Sequence, residues 1–470
     1  MKTPETLTGL VIGPDDPGYD EARLDYNTGV PPVEPRYIVF TRSVGDVRRA
    51  IRFARRRGYP LRVRSGRHSY EAYSVVERGI VIDVTPLDQV VYDRDAGLAW
   101  IGAGARLSDI YQKLWDQARV TIPGGSCGGV GIAGLTLGGG FGLLGREYGL
   151  TCDALKGLKM VNADGEVVKA SRRENKELFW ASCGGGGGNF GAVTEFAFEA
   201  KPVGDVTIFY LQWPWSELAP VFAAFQLWAD PMRLDFRMTP LLKLTSKITG
   251  QVALVGQFDG PFREALGLLA PMIRVGHPHV ISIREVPFIE AVLYFGGGKE
   301  GAEQFVAQGL PTLAGTPAHE MFKNTSAYQF KLFGPEAIKT MIRYLAAAPN
   351  PASLVQFDGM GGHVGKIPND ATAFSHRGAR ASLQYQTYWT DPAIKPESVR
   401  WVEAFRRAML PFTQGAYVNY IDGDIVKWPL KYYDDNLRRL IRVKKVYDPD
   451  NVFTFPQGLS QLTVRGGGRK

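Results

Sequence analysis

What most limits the folds open to this chain is where its glycines fall. Between Arg64 and Gly191 lie RSGRHSYEAY, then PGGSCGGVGIAGLTLGGGFG, then CGGGGGNFG. In regular structure each glycine costs roughly 0.5–1 kcal/mol relative to alanine, so such density needs a compensating use. Glycine lets the backbone approach a ligand closely and adopt positive φ, and successive N–H groups in such loops make anion-binding nests that suit a pyrophosphate. Neither common nucleotide motif is present, however. Gly102-Ala103-Gly104 follows a strand-like run and leads into a helical one but lacks the third Rossmann glycine, and no Walker loop exists. Composition alone leaves two readings open, a nucleotide site and a set of tight turns in an α+β protein.

At 470 residues and 45% hydrophobic, the chain is too long for one ordinary core, so two large domains are expected. The glycine-rich part carries short β-branched runs (79–84 and 90–104) between helical patterns at 43–57 and 106–117. Beyond about residue 205 the texture changes. Apolar strands at 206–213 and 251–258 alternate with helical patterns at Ser216–Ala229, Glu336–Ala347 and Pro396–Met409, with Ser216 as the expected cap of the first. The terminal RGGGRK is expected to fray.

Formal net charge is +8, much of it in Arg48, Arg49, Arg52, Arg55, Arg56 and Arg57 on one face of the 43–57 helix. Such a run is ordinarily a solvated face, and no aromatic platform or nucleic-acid motif accompanies it. No nucleic-acid partner is expected. No apolar run is long enough for a membrane span, and MKTPETLTGLVIGPDDPGYD has no apolar h-region. Three cysteines, Cys127, Cys152 and Cys183, suit neither a disulfide framework nor a structural zinc site. A reducing cytoplasm is therefore expected, with no metal; the sequence leaves the oligomeric state open.

Taken singly, His68 and Cys127 read most simply as a structural histidine and a small buried hydrophobe. Their surroundings say more. RSGRHSY, PGGSC…GLTLGGGFGLLGREYGL, ELFWASCGGGGGNFGAVTEF, AYVNY and VYDPDNVFTFPQGL together resemble the berberine bridge enzyme-like family of the vanillyl-alcohol oxidase superfamily, over nearly the whole chain. The resemblance implies an α+β, two-domain fold: a PCMH-type FAD-binding domain over residues 1–205, a substrate domain of antiparallel sheet plus helices over 206–414, and a segment from 415 to 470 that completes the first domain. It implies FAD held twice, by His68 at the 8α-methyl carbon and by Cys127 at C6. Two electron-withdrawing attachments make the ring a stronger oxidant and prevent its loss, while the protein supplies position and electrostatics. Arg64, Ser65, Gly66, Arg67, Ser69, Val130, Gly131, Gly134, Gly188, Asn189, Gly191 and Asn419 are the further cofactor-binding candidates. The chain departs from the family at Arg67, more often glycine; at Cys183, where arginine is common; and at Leu135, a histidine in plant members.

The resemblance also implies oxidation of a hydroxyl-bearing carbon in a small alcohol or carbohydrate. Hydride transfer from such a carbon to flavin N5 needs a base for the hydroxyl proton. In the family that base is the second tyrosine of Y-x-N-Y, here Tyr420. Period-two alternation puts Gln356 and Asp358 on one face of 354–359, and Arg380, Ser382, Gln384 and Gln386 on one face of 378–389. A tyrosine base with Gln and Asp nearby is the family pattern of carbohydrate and alcohol oxidases. Arg380 is the candidate cation for a Tyr420 phenolate. Ser382 replaces the glutamate base of berberine bridge enzyme, which argues against amine or C–C bond-forming chemistry. Val130 matches the position where valine accompanies oxygen reactivity in the family, so O2 is the expected acceptor and hydrogen peroxide the product. The rivals are a dehydrogenase with another acceptor and a flavin-carrying protein without turnover.

Overall fold

The computed structural model describes residues 7–296 and 320–463; the terminal RGGGRK lies outside them. The first sheet has the order Leu10–Ile12, Tyr37–Phe40, Ile80–Asp83, Leu61–Arg64, with the last three strands parallel. Ile80–Asp83 is buried at all four positions, as an inner parallel strand covered on both faces should be. Helix Val44–Arg57 links two of these strands. Ser43 accepts the Asp46 N–H at its start (3.2 Å) and Gly58, at φ 67°, ends it. Three of its arginines pair with residues beyond the helix, while Arg56 and Arg57 stay exposed. Arg48 and Arg52 pair with Glu166, while Arg55 pairs with Asp164 and Asp450, fastening the helix to the 162–166 turn and to the C-terminal segment. A second, antiparallel sheet follows, in the order Val90–Asp93, Leu98–Gly102, Ala192–Glu199, Leu155–Val161, Val167–Ser171.

The middle of the chain builds a seven-stranded antiparallel sheet: Val280–Pro287, Asp205–Pro214, Gln251–Phe258, Met238–Thr245, Ser353–Gly359, Ala381–Trp389, Met321–Gln329. One face packs under helices Leu218–Trp228, Pro335–Ala346 and Lys395–Met409, with Leu242, Leu244, Val355, Phe357, Leu383 and Tyr385 meeting Phe222, Met341 and Phe405 in one core. Ser216 does not cap the first of these helices. A 3-10 turn over Trp215–Glu217 precedes it, pinned by Trp215 Nε1 donating to Thr245 O (3.0 Å), and the helix begins at Leu218. That start leaves Pro220, which has no N–H, in the first turn where none is needed.

The last segment returns to the first core. Ala416, Tyr417, Tyr433, Leu440 and Phe453 share a hydrophobic cluster with Ile80, Ala99 and Phe196. The protein is thus an α+β fold of two domains. Lys444 fastens the return. Its fully buried Nζ donates to Asp448 Oδ2 (2.5 Å), Asn189 O (2.7 Å) and Phe453 O (2.7 Å). Lys444→Ala would leave the Asp448 carboxylate buried without its cation, and we expect a loss of about 3–5 kcal/mol in a denaturant titration. A loss below 1 kcal/mol would mean that the ion pair contributes no net stability.

Candidate active site

Between the glycine-rich loops and the uncovered face of the seven-stranded sheet lies a cavity of about 370 Å³. Three loop regions and the sheet build it, and each contributes for a local reason.

The first loop, 64–70, leaves strand Leu61–Arg64. Arg64 lines the cavity, but its guanidinium is fully buried and committed elsewhere, with Nε donating to Asp83 Oδ2 (2.8 Å) and Nη2 to Ala22 O (2.7 Å). It anchors the loop rather than presenting charge. Ser65 Oγ donates to Ala103 O (2.7 Å). Gly66 packs backbone against backbone on Gly131, where a Cβ on either would run into the other. Arg67 has φ 63°, the left-handed region that favours glycine, which is the physical sense of the family's preference for glycine there. Its guanidinium lies 3.7 Å from Asp83. His68 stacks on Tyr26 with ring centroids 4.4 Å apart. Burial lowers its pKa to about 4, so the imidazole is neutral at neutral pH and keeps a lone pair. Ser69 Oγ accepts the Tyr73 N–H (3.0 Å).

The second loop carries Cys127 and Val130, both lining the cavity. Burial pushes the Cys127 thiol up to about 11, against the pull of the Gly129 and Val130 backbone. The loop runs through Gly131 into helix Ile132–Leu137. At Gly134, on the cavity side, a Cβ would meet nothing within 4 Å, so the glycine opens a surface for something flat to lie against. Leu135 lines the cavity too, and its carbonyl accepts Asn419 Nδ2 (3.0 Å), which also donates to Tyr417 Oη (2.9 Å). In the third region Gly188 (φ 72°) and Gly191 line the cavity. Asn189 does not line it. It is buried behind the loop, with Nδ2 donating to Gly185 O (3.0 Å) and Oδ1 accepting Leu459 N–H (2.9 Å), so it shapes the glycine run and ties it to the C-terminal segment. Cys183 is likewise buried, its thiol directed at Cys152 O (3.8 Å).

The sheet face is the opposite wall, and Gln356, Asp358 and Gln384 line it. Gln356 Nε2 donates to Asp358 Oδ1 (2.7 Å) and Gln384 Nε2 to Tyr70 Oη (2.7 Å). Burial pushes the Asp358 carboxyl up to about 7, with the Gln356 bond and the charge of Lys243 pulling the other way. Tyr420 stacks on Tyr70 (5.5 Å, 4° between planes) and meets Tyr417 edge-on (5.0 Å). Burial, then the Asp358 charge, holds its phenol well above the ordinary tyrosine range.

Two expectations about the sheet need correction. Arg380 is not beside Tyr420. It precedes strand Ala381–Trp389 and its Nη2 donates to Gln226 O (2.9 Å), with Asp230 at 3.5 Å, at the end of a covering helix. Ser382 is fully buried opposite Asp358 and Tyr328 and does not line the cavity. Sequence reasoning also missed Tyr26, Asn324, Tyr388 and Glu320, which line the cavity. They lie outside the glycine motifs, and only Tyr388, in period with Gln384 and Gln386, carried a signal.

A cavity walled by glycine backbone on one side and polar sheet on the other, with an open patch at Gly134, fits a flat ring bearing a long nucleotide tail. The comparisons agree. Residues 35–171 match the family model of an FAD binding domain, and 416–460 match the one described as berberine and berberine like. Fold and site define an FAD-linked oxidoreductase. The chain is 39% identical over 462 residues, 97% of this chain and 98% of the other, to the uncharacterised FAD-linked oxidoreductase YgaK of Bacillus subtilis. It superposes on BBE-like 1 of Physcomitrella patens with a TM-score of 0.87 at 30% identity, covering 96% of both chains. Against chitooligosaccharide oxidase the TM-score is 0.86 at 25% identity, covering 96% of this chain and 97% of that one. The chain belongs to the berberine bridge enzyme-like family of FAD-linked oxidoreductases.

Proposed function

We propose that this protein oxidises a hydroxyl-bearing carbon of a small alcohol or carbohydrate, with FAD attached through His68 and Cys127 and O2 reduced to hydrogen peroxide. The observation that carries the reading is the meeting, in one cavity, of His68 and Cys127 from separate loops with Tyr420, Gln356, Asp358 and Gln384 from the opposite wall. When bound, the flavin supplies the hydride acceptor at N5. The protein's own groups handle the proton. Tyr420 is neutral at neutral pH, so it can take the substrate hydroxyl proton only as its own leaves. Asp358, pushed up to about 7 and felt electrostatically by Tyr420, is the carboxylate we assign to receive that proton. Gln356 orients that carboxylate and Gln384 holds Tyr70, on which Tyr420 stacks.

The active form has Asp358 deprotonated, so kcat/KM should fall as pH drops through about 7. Peroxide production against a panel of oligosaccharides, monosaccharides and aromatic alcohols tests the reaction; a holoprotein that turns over none of them supports the flavin-carrying rival. The acceptor has its own test. Val130 lines the cavity, and Val130→Leu, which adds one methylene there, should slow reoxidation of the reduced protein by air in stopped flow. Slow reoxidation of the unaltered protein would instead favour a dehydrogenase.

A further inference from the structure

One charged group lies behind the cavity without a part in this chemistry. Lys243 sits within strand Met238–Thr245, in the middle of the seven-stranded sheet, and is fully buried. Leu242 and Leu244 of the same strand enter the helix-covered core, whereas Thr239 and Leu241 line the cavity. By alternation Lys243 belongs to the cavity face. The register pairs Lys243 with Gln356 and Leu241 with Asp358. Lys243 and Asp358 are therefore diagonal neighbours on one face, about 7–8 Å apart at the backbone, a span that the four-carbon stem of lysine crosses. Between them Gln356 Nε2 donates to Asp358 Oδ1 (2.7 Å), and Asp358 Oδ2 has no hydrogen-bond partner among the described residues. An apolar side chain would pack this strand at less desolvation cost than a buried ammonium.

We propose that Lys243 is a positioning residue whose buried ammonium is the counter-charge of Asp358 and readies that carboxylate to receive the proton relayed by Tyr420. Its part in turnover rests on the oxidase reading; the pairing itself does not. The groups that act on Asp358 come from four elements: Lys243 from Met238–Thr245, Gln356 from its own strand, Tyr328 from Met321–Gln329 and Tyr420 from the C-terminal segment. Lys243 is the cation among them. Burial drives the two partners toward each other, the carboxyl up to about 7 and the ammonium down to about 7. A single proton shared between them leaves the pair without net charge whichever group holds it. Before turnover the Lys243 ammonium offsets the Asp358 carboxylate, so the proton acceptor stands in the dry wall of the site without net charge.

The test is an infrared pH titration of the holoprotein without substrate, following the C=O band of a protonated carboxyl that Asp358→Asn removes. Lys243→Met has similar length and no charge; Lys243→Arg keeps the charge. An opposite charge nearby lowers a carboxyl by roughly 1–3 units, so the Met variant should titrate that much higher and the Arg variant closer to wild type. Lys243→Gln serves if the Met variant is insoluble. In turnover the acid limb of kcat/KM should move upward with the band. An Asp358 band that titrates at the wild-type pH in the uncharged variant overturns the pairing. A shifted band with an unmoved limb keeps the pairing and rejects Asp358 as the proton acceptor of the reaction.

Discussion

Tyr420→Phe is expected to lower kcat/KM by roughly 100- to 10,000-fold, the usual worth of a positioned general base. The ring that stacks on Tyr70 and meets Tyr417 edge-on would remain, so the substrate wall should keep its shape and the flavin its colour. The loss then falls on the chemical step, and single-turnover flavin reduction is the measurement that reads it. Asp358→Asn removes the group pushed up to about 7, and its remaining activity should lose the acid limb at that pH. If Tyr420→Phe reduced its flavin within threefold of the wild-type rate, another group would be the base. Arg380 is not the helper for such a base, because the Gln226 carbonyl and Asp230 already hold its guanidinium.

The second large effect concerns the cofactor. His68→Ala and Cys127→Ala should each leave one covalent link, so acid precipitation would still carry the colour into the pellet and the intact mass would still include FAD. The double variant should release all of it to the supernatant. The two residues come to the reaction differently prepared. His68, stacked on Tyr26 and lowered to about 4, presents a neutral nitrogen, whereas the Cys127 thiol, raised to about 11, is protonated at neutral pH. Since the thiolate is the nucleophile, the Cys127 link should form faster as pH rises, and the His68 link should show no such dependence above neutrality. Full release of flavin from the denatured wild-type protein would remove both attachments from the account.

Part of this site was legible in the sequence because its requirements are local. Glycine at 66 and 131 is demanded by two backbones in contact, and an open patch at Gly134 by the absence of a Cβ; both leave a mark in composition. The cap at Ser43 was likewise readable, because Ser43 and Asp46 are one turn apart. Ser216 looked equivalent and was not, since a contact with Thr245, distant in sequence, fixed the preceding turn. Asn189 sits inside a motif that pointed at the cofactor, yet its amide is spent on the Gly185 carbonyl and on the Leu459 N–H. A motif marks a neighbourhood; which way each side chain turns within it depends on partners elsewhere in the chain.

The amino-acid sequence by itself determined the glycine loops, the histidine and cysteine they carry, and the faces of the strands that bear Gln356 and Asp358. Backbone sterics and two-residue alternation act over a few residues, so they are written locally. Only the tertiary structure decided that Met238–Thr245 lies against Ser353–Gly359, bringing Lys243 to Asp358, and that the C-terminal segment carries Tyr420 to the same wall. Strand order follows from how whole layers bury their apolar faces, and alternation along one strand carries no record of its neighbour.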